Sequence, residues 1–352
     1  MSERLGLRLR ARRWQCRAVR DGRRALGLER TVYVESRTEE YRACWEGAAR
    51  LLGADFATLA PGIWEARLDG RSTRLCGHLV QADDPVTLRV AGDKALCHAL
   101  ARRAGVSVPE HHLFRLGEAR LAARVVERDR GPWVVKPARG SASGLGVTTG
   151  IVDPREVEDA AVLASLFSPE LLLERMAPGE SCRLLFLDGE LLHAVRRRGA
   201  RVTGDGVRAV HQLAAAAGFG ALARTPSAAV DLAAQALSAD DVPAAGREVL
   251  VRGVPPTVAE TRRELRTVYD EDVTSMVHPA TIAALAEVVR LAGSRFAGVD
   301  WLTVDPAAPP ERAGVFLELN TTPGIHHHYQ SDDDRRTHPV AVRVLRTLLG
   351  AG

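Results

Sequence analysis

The stretch from Trp133 to Ile151 narrows the fold of this chain more than any other. Trp133 to Lys136 and Gly146 to Ile151 are β-prone runs, joined by a loop from Ala138 to Leu145 made mostly of Gly, Ser and other small residues. Two strands with such a connection set a β-rich unit in the middle of the chain. Lys136 stands at the end of the first strand. A cation there, beside a loop whose bare N–H groups can close in, suits phosphate oxygens, although the loop lacks the Walker spacing and a surface hairpin with a solubilising lysine has the same pattern. Of 48 basic residues only two are lysines, Lys94 and Lys136, so a composition that writes its cations as arginine keeps lysine at these places.

With 352 residues, 46% apolar and 26% charged, the chain can form two or three compact units with a sizeable core. A net charge of +4 permits a polyanion, but aromatics are only 5% and no zinc-finger spacing or RNA-binding aromatic signature is present, so nucleic acid is not the expected partner. Five well-separated cysteines without a CxxC pair suggest reduced thiols in a cytoplasm. The first 30 residues hold ten arginines. Leu5, Leu7 and Leu9 alternate with Arg8 and Arg10 as in a half-exposed strand, and no apolar run suits a signal or a membrane span.

Three units are expected: an N-terminal α/β unit at 1–90, a central unit at 91–176 and a C-terminal unit at 177–352. In the first, Thr31 to Glu35 is β-prone, Tyr41, Cys44, Trp45, Ala48 and Leu52 have helical spacing, and Ile63 to Leu68 and Ser72 to Cys76 flank an Asp69-Gly70 turn. In the second, a helix opens at Lys94 with Leu96, Leu100 and Ala104 on one face, and a strand covers Leu171 to Glu174. In the third, Asp188-Gly189 joins strands at Cys182 to Leu187 and Leu191 to Val195. An alanine-rich stretch at 212–245 reads as helices with loops, and an amphipathic helix follows Pro279. Strands at Ala297 to Val304 and Val315 to Asn320 come next, then a closing helix between Pro339 and Leu349.

Alternation over Val315 to Asn320 puts Glu318 and Asn320 on one strand face and Val315, Leu317 and Leu319 on the other. Hairpin pairing can bring Asp300 beside them. Two carboxylates and an amide oxygen suit Mg²⁺; a polar outer strand face is the plainer alternative. Leu171 to Met176 is an apolar strand running into Pro178-Gly179-Glu180, where exposed backbone groups could meet a flat heterocycle and Glu180 could accept from ribose hydroxyls. For His326-His327-His328 no acidic pattern completes a metal site, so a substrate-facing loop or plain surface is expected.

In this order, the motifs resemble the ATP-grasp superfamily of carboxylate-amine ligases, and within it the ATP-grasp module of cyanophycin synthetases and bifunctional glutathione synthetases. The likeness runs through the 63–76 hairpin, Ala91-Gly92-Asp93-Lys94, Val134-Val135-Lys136-Pro137 with its loop, Leu173-Glu174-Arg175, Arg183, Arg197 and Gly204-Asp205-Gly206. It continues through Asp272-Val273-Thr274, Val277-His278-Pro279, Gly298-Val299-Asp300 and Glu318-Leu319-Asn320-Thr321-Thr322-Pro323-Gly324.

The resemblance implies an α+β ATP-grasp fold, two subdomains clasping ATP, preceded by a smaller α/β domain. It implies ATP and Mg²⁺ (or Mn²⁺) as cofactors. Lys94 and Lys136 would contact phosphates, with Arg139, Gly140, Ser141, Ser143, Gly144 and Gly146 in the covering loop. Glu174 and the backbone of Arg175, Met176 and Ala177 would bind adenine, and Glu180 the ribose. Asp300, Glu318 and Asn320 would hold the metal, and Arg183 and Arg197 would face the transferring phosphoryl group. Thr322, Gly324, His326 and Asp205 would lie on the substrate side.

The implied activity joins a carboxylate donor to an amine acceptor through an acylphosphate, with release of ADP and phosphate. Gly298 stands where D-alanine ligases typically carry arginine, and Gly253 to Arg266 replaces an Asn-Ser-Thr-Gly-Gly stretch common in the cyanophycin branch, which leaves donor and acceptor open. The chain ends at Gly352 without the second ligase module of cyanophycin synthetases, so a stand-alone ligase of peptide or natural-product biosynthesis is expected, with a homodimer allowed for and no membrane partner. A phosphotransferase or carboxylase-like enzyme using the same nucleotide site, and a non-catalytic nucleic-acid-binding protein, are the alternatives.

Overall fold

The computed structural model describes residues 2–25, 37–129, 131–140, 145–253, 271–312, 314–329 and 340–350, with side chains of 7–21 in the first helix. Thr31 to Glu35, Ser141, Ser143, Gly144 and most of Gly253 to Arg266 lie outside the described residues.

The N-terminal segment is a helix, α1 (Ser2–Ala25), where the alternation of leucine and arginine predicts a strand. Leucine, arginine and alanine are strong helix formers, and the same residues also satisfy helical spacing. Leu9 is buried, and Arg13 and Arg20 on the same face donate to the carbonyls of Ser165 and Leu166 at 3.1 and 3.3 Å. These contacts set α1 against the central unit.

Next come α2 (Thr38–Leu52) and an antiparallel sheet of β1 (Asp55–Ala60), β2 (Ile63–Leu68), β3 (Arg71–Cys76) and β4 (Leu79–Val80) in sequential order. Asp69 and Gly70, at φ 50° and 79°, turn β2 into β3 with the positive φ pair of a type I′ turn. Tyr41, Trp45, Ala48 and Ala49 of α2 are buried against this sheet and against the closing helix α10 (Val340–Leu349), which returns from the far end of the chain.

The short helix α3 (Pro85–Ala91) leads to α4 (Lys94–Arg103), whose N-cap is Asp93. On α4 the buried residues are Lys94, Cys97, His98, Leu100 and Ala101, while Leu96, expected on the apolar face, is exposed. The central sheet has the order β5 (His111–Arg115), β8 (Glu170–Arg175), β6 (Trp133–Pro137), β7 (Thr148–Ile151). It is backed by α5 (Ala119–Arg128), α6 (Glu156–Ala164) and Leu9 of α1.

The largest sheet is five-stranded: β13 (Glu271–Asp272), β10 (Glu190–Arg196), β9 (Glu180–Leu187), β14 (Phe296–Thr303), β15 (Val315–Thr321). Both of its faces are covered. Cys182, Leu184 and Phe186 of β9 meet α4 and α9 (Pro279–Leu291), whereas Leu185 and Leu187 meet the core shared with α2 and α10. That double burial explains why β9 reads as a near-continuous apolar run. The alanine-rich stretch forms a small unit with its own core, α7 (Val210–Ala216) and α8 (Pro226–Ala233) against the pair β11 (Ala200–Thr203) and β12 (Glu248–Arg252). The secondary structure is α+β throughout. Among the described residues no helix is long and apolar enough to cross a membrane.

Candidate active site

The site lies where the central and five-stranded sheets approach one another. Lys94 N donates to the Ala138 carbonyl at 3.2 Å, and Asp93 and Arg139 form an isolated β-bridge, so the N-terminus of α4 is laid against the end of β6. Both lysines, read separately from the sequence, are thereby fixed around one junction. Arg139 secures it, placing Nη2 2.7 Å from Asp93 and Nη1 2.8 Å from Glu170.

Across the junction, β14 and β15 pair with Asp300 opposite Glu318. Lys94 Nζ is 3.2 Å from Glu318 Oε2, and Arg183 grips Asp300 through Nε and, at 2.8 Å, through Nη2. Asn320 Nδ2 donates to Asp300 Oδ2 at 3.2 Å and Glu318 Oε1 at 3.4 Å. On the central sheet, Lys136 Nζ is 2.7 Å from Glu174 Oε2, and both side chains are buried. The carboxylates respond differently to burial. It pushes the Asp300 carboxyl up, to about 7, with Arg183 opposing and the neighbouring Glu318 charge adding to the rise. Burial also acts to raise Glu318, but Lys94 leads a group of opposing interactions, among them Lys136, that hold it low, at about 2.

Asp300, Glu318 and Asn320 thus come together as expected, Glu318 and Asn320 sharing a face on either side of the core-facing Leu319, but the alternation breaks at Leu317. Register shifts between Asp300 and Trp301, leaving Leu317 as an extra residue in a β-bulge, so Phe316 and Leu319 enter the core and Leu317 does not. Among the described residues no group of three or more His, Cys, Asp or Glu is placed to hold a metal. Two carboxylates and one amide form the candidate donor set, which fits Mg²⁺ completing its shell with water and substrate phosphates.

Arg183 lies over Gly298, where a Cβ would fall 2.9 Å from Pro323 Cβ and 3.0 Å from Arg183 Cδ. Arg183 and Asp300 are opposed across β9 and β14, and a side chain at 298 would crowd the Arg183 stem and the Pro323 ring beside them. Gly146, at φ 77°, sits where a Cβ would fall 2.7 Å from the Phe167 ring, and Gly140, at φ 65°, follows Arg139 at the mouth of the loop.

Other expected residues are placed differently. The N–H groups of Arg175 and Met176 already donate to the carbonyls of Glu110 and Pro132 at 2.8 and 3.0 Å, so they are not the donors a purine would use; Ala177 follows them in the linker. The Arg175 side chain turns to Asp129, at 2.5 Å, and covers the Trp133 ring. Glu180 is fully buried and accepts from Gly199 N at 2.7 Å and from Arg201 at 2.5 and 3.1 Å, with Arg196 at 3.2 Å. Sequence reasoning gave no sign of those arginine partners. Arg197 is buried beside them, its N–H bonded to Ser181. Asp205 closes a local turn, accepting from Val207 N and Arg208 N at 3.0 and 2.8 Å, which hold its pKa low.

The histidine run is neither an extended segment nor a surface loop. Ile325–Tyr329 is a 3₁₀ turn in which His326 and His328 are buried. His326 Nδ1 meets the Tyr41 hydroxyl, and burial holds its pKa down at about 3. Gly324 lies against the same Tyr41–His326 pair, and Thr322 takes φ 44°, an uncommon conformation for a β-branched residue. Asp231 was also missed. Its carboxylate accepts from Gly179 N at 2.6 Å, Gly253 N at 3.0 Å and Arg252 at 3.0 Å, tying the linker before β9 to the end of β12.

No family model matches the chain. Cyanophycin synthetase from Geminocystis herdmanii is 27% identical over 256 residues, 68% of this chain and 28% of that protein. The glutathione biosynthesis bifunctional protein GshAB from Mannheimia succiniciproducens is 26% identical over 271 residues, 72% of this chain and 34% of the relative. Among solved structures, a bifunctional glutathione synthetase from Pasteurella multocida matches with a TM-score of 0.48 and 18% identity, covering 85% of this chain and 41% of that one. The chain spans about a third of the length of these curated relatives. In sequence it is similar to cyanophycin synthetases and to bifunctional glutathione-biosynthesis proteins.

Proposed function

We propose that the chain catalyses ATP-dependent joining of a carboxylate to an amine. One observation carries this reading: both lysines of the chain and the grouping of Asp300, Glu318 and Asn320 meet at a single junction of two sheets. A donor carboxylate oxygen attacks the γ-phosphorus of ATP, and ADP leaves with the electron pair of the broken P–O bond. The amine then attacks the acyl carbon of the acylphosphate, loses a proton and expels phosphate.

Lys94 and Lys136 neutralise the phosphates, and Arg183 stands on the face where charge develops during transfer. Asp300, Glu318 and Asn320 would hold Mg²⁺, which supplies charge neutralisation on phosphate oxygens. The segment from Arg139 to Gly146 would cover the phosphates and exclude water, which otherwise hydrolyses the acylphosphate. An amino acid or small peptide is the proposed amine, with peptide or natural-product biosynthesis as the setting. The free cysteines are consistent with a reducing cytoplasm.

Purified protein incubated with ATP, Mg²⁺ and a panel of amino acids and dipeptides is expected to release ADP and phosphate only when carboxylate and amine are both present. Mass spectrometry would then find the condensed product. ADP release with a carboxylate alone and a stable phosphorylated product would make it a phosphotransferase, and unaltered turnover in Glu318→Ala would refute the metal assignment.

A further inference from the structure

We propose that His98 is a positioning residue: it holds the β15 bulge at Leu317 and so aims Glu318 into the site. The inference rests on the nucleotide and metal roles proposed above. Lys94 and His98 are four residues apart on α4, on one buried face. Lys94 reaches the Glu318 carboxylate, and His98 Nε2 is 2.9 Å from the Leu317 carbonyl. One helical turn thereby clamps two consecutive residues of β15.

The bulge is what needs holding. Asp300 pairs with Glu318 and Trp301 with Phe316, so Leu317 is opposed by no residue of β14. Without the extra residue, strict alternation from Leu319 would send Leu317 into the core and turn Phe316 toward the site with Glu318. A bulge leaves backbone groups outside the ladder, and a buried carbonyl requires a donor. His98 supplies it.

A carbonyl only accepts, so the His98 proton is on Nε2. Its Nδ1 lies 3.2 Å from His111 Nδ1, which in turn lies 3.0 Å from the Pro109 carbonyl. With its proton on Nε2, His98 can only accept at Nδ1, so the one proton of His111 Nδ1 is shared between the Pro109 carbonyl and His98 Nδ1. The ring is thus oriented from both sides. Burial, with Lys136 next, keeps His98 neutral, its pKa lowered to about 3.

The test compares His98→Phe, which keeps a ring beside Phe316 but donates nothing, with His98→Gln, whose amide N–H falls near the position of Nε2. Mn²⁺ binding in the presence of the β,γ-imido analogue of ATP, read by electron paramagnetic resonance, reports the metal site without turnover. The Phe variant is expected to bind Mn²⁺ about tenfold or more weakly, and the Gln variant to stay within about threefold of the parent protein. Should His98→Phe fail to fold, His98→Asn takes its place, because its shorter amide cannot reach Leu317. Equal Mn²⁺ binding in all variants overturns the role of His98 alone; a Gln variant as weak as Phe or Asn overturns the donor assignment. If the parent protein gathers no Mn²⁺ with the analogue, the proposed nucleotide site falls and this inference with it.

Discussion

Lys136 is the most informative residue to perturb, because its replacement separates stability from nucleotide binding. Its ammonium lies 2.7 Å from Glu174 Oε2, with both side chains under a tenth exposed. At that distance and an effective dielectric of about 20, their attraction is about 6 kcal/mol. Lys136→Met forfeits the attraction but recovers the desolvation of the ammonium, leaving a net loss of about 3–5 kcal/mol from the stranded Glu174 carboxylate. Urea denaturation should show that loss, and the double variant Lys136→Met/Glu174→Leu should recover most of it. Lys136→Arg is expected to behave differently. A guanidinium can still pair with Glu174, so stability falls little, but a planar fork replaces a compact ammonium among the phosphates, and affinity for a non-hydrolysable ATP analogue should drop about tenfold or more by calorimetry. Near-normal affinity and turnover in Lys136→Arg would refute the reason given for keeping lysine here. A double variant no more stable than Lys136→Met would refute the ion-pair account.

The buried histidines set a pH dependence. Burial lowers the pKa of His326 to about 3 and those of His327 and His328 well below their ordinary value. The unfolded chain takes up protons below about pH 6.5 that the folded chain refuses, so stability is complete above that pH and each histidine removes about 1.4 kcal/mol per pH unit as pH falls toward the folded values. Urea midpoints at pH 7.5 and 5.0 that coincide would contradict this. Gly298→Ala should push Arg183 off Asp300, since the added Cβ falls within 3.0 Å of both Pro323 and Arg183; a crystal structure retaining the Arg183–Asp300 pair would contradict it. Asp231→Ala strands the N–H groups of Gly179 and Gly253 and the Arg252 guanidinium, and should cost about 3 kcal/mol or more in chemical denaturation.

Where local rules fix the outcome, the sequence could be read directly. Asp69-Gly70 and Asp188-Gly189 turn their strands with positive φ, and the helix after Pro279 begins there. α1 was misread because leucine and arginine alternating over a few residues satisfy both periods, and only Leu9, Arg13 and Arg20 docking on the central unit decide between them. The histidine run failed for a related reason. Nothing in three adjacent polar residues announces that a 3₁₀ turn will bury two of them under Tyr41 and beside His193. Nor does any local pattern reveal that α10 returns to α2, a contact closed over nearly the whole chain.

The site itself was legible as residue types and illegible as pairings. The end of a β-run points to Lys136, alternation to Glu318 and Asn320, hairpin pairing to Asp300 and the opening of a helix to Lys94. What local pattern cannot contain is which charge neutralises which. In the folded chain Lys94 holds Glu318, Lys136 holds Glu174 and Arg183 holds Asp300. Three cations face three carboxyl groups, so the unliganded cluster buries compensated charge. An incoming metal and polyphosphate would exchange these partners rather than fill a bare cationic pocket. On the proposed function the lysines would have to be released from carboxylates before serving phosphates, and the affinity for nucleotide would be the difference between two strong sets of interactions. For that reason a substitution that removes one charge of a pair changes binding and stability together, and only variants that keep the paired charge, as Lys136→Arg does, or that remove both members of a pair separate the two.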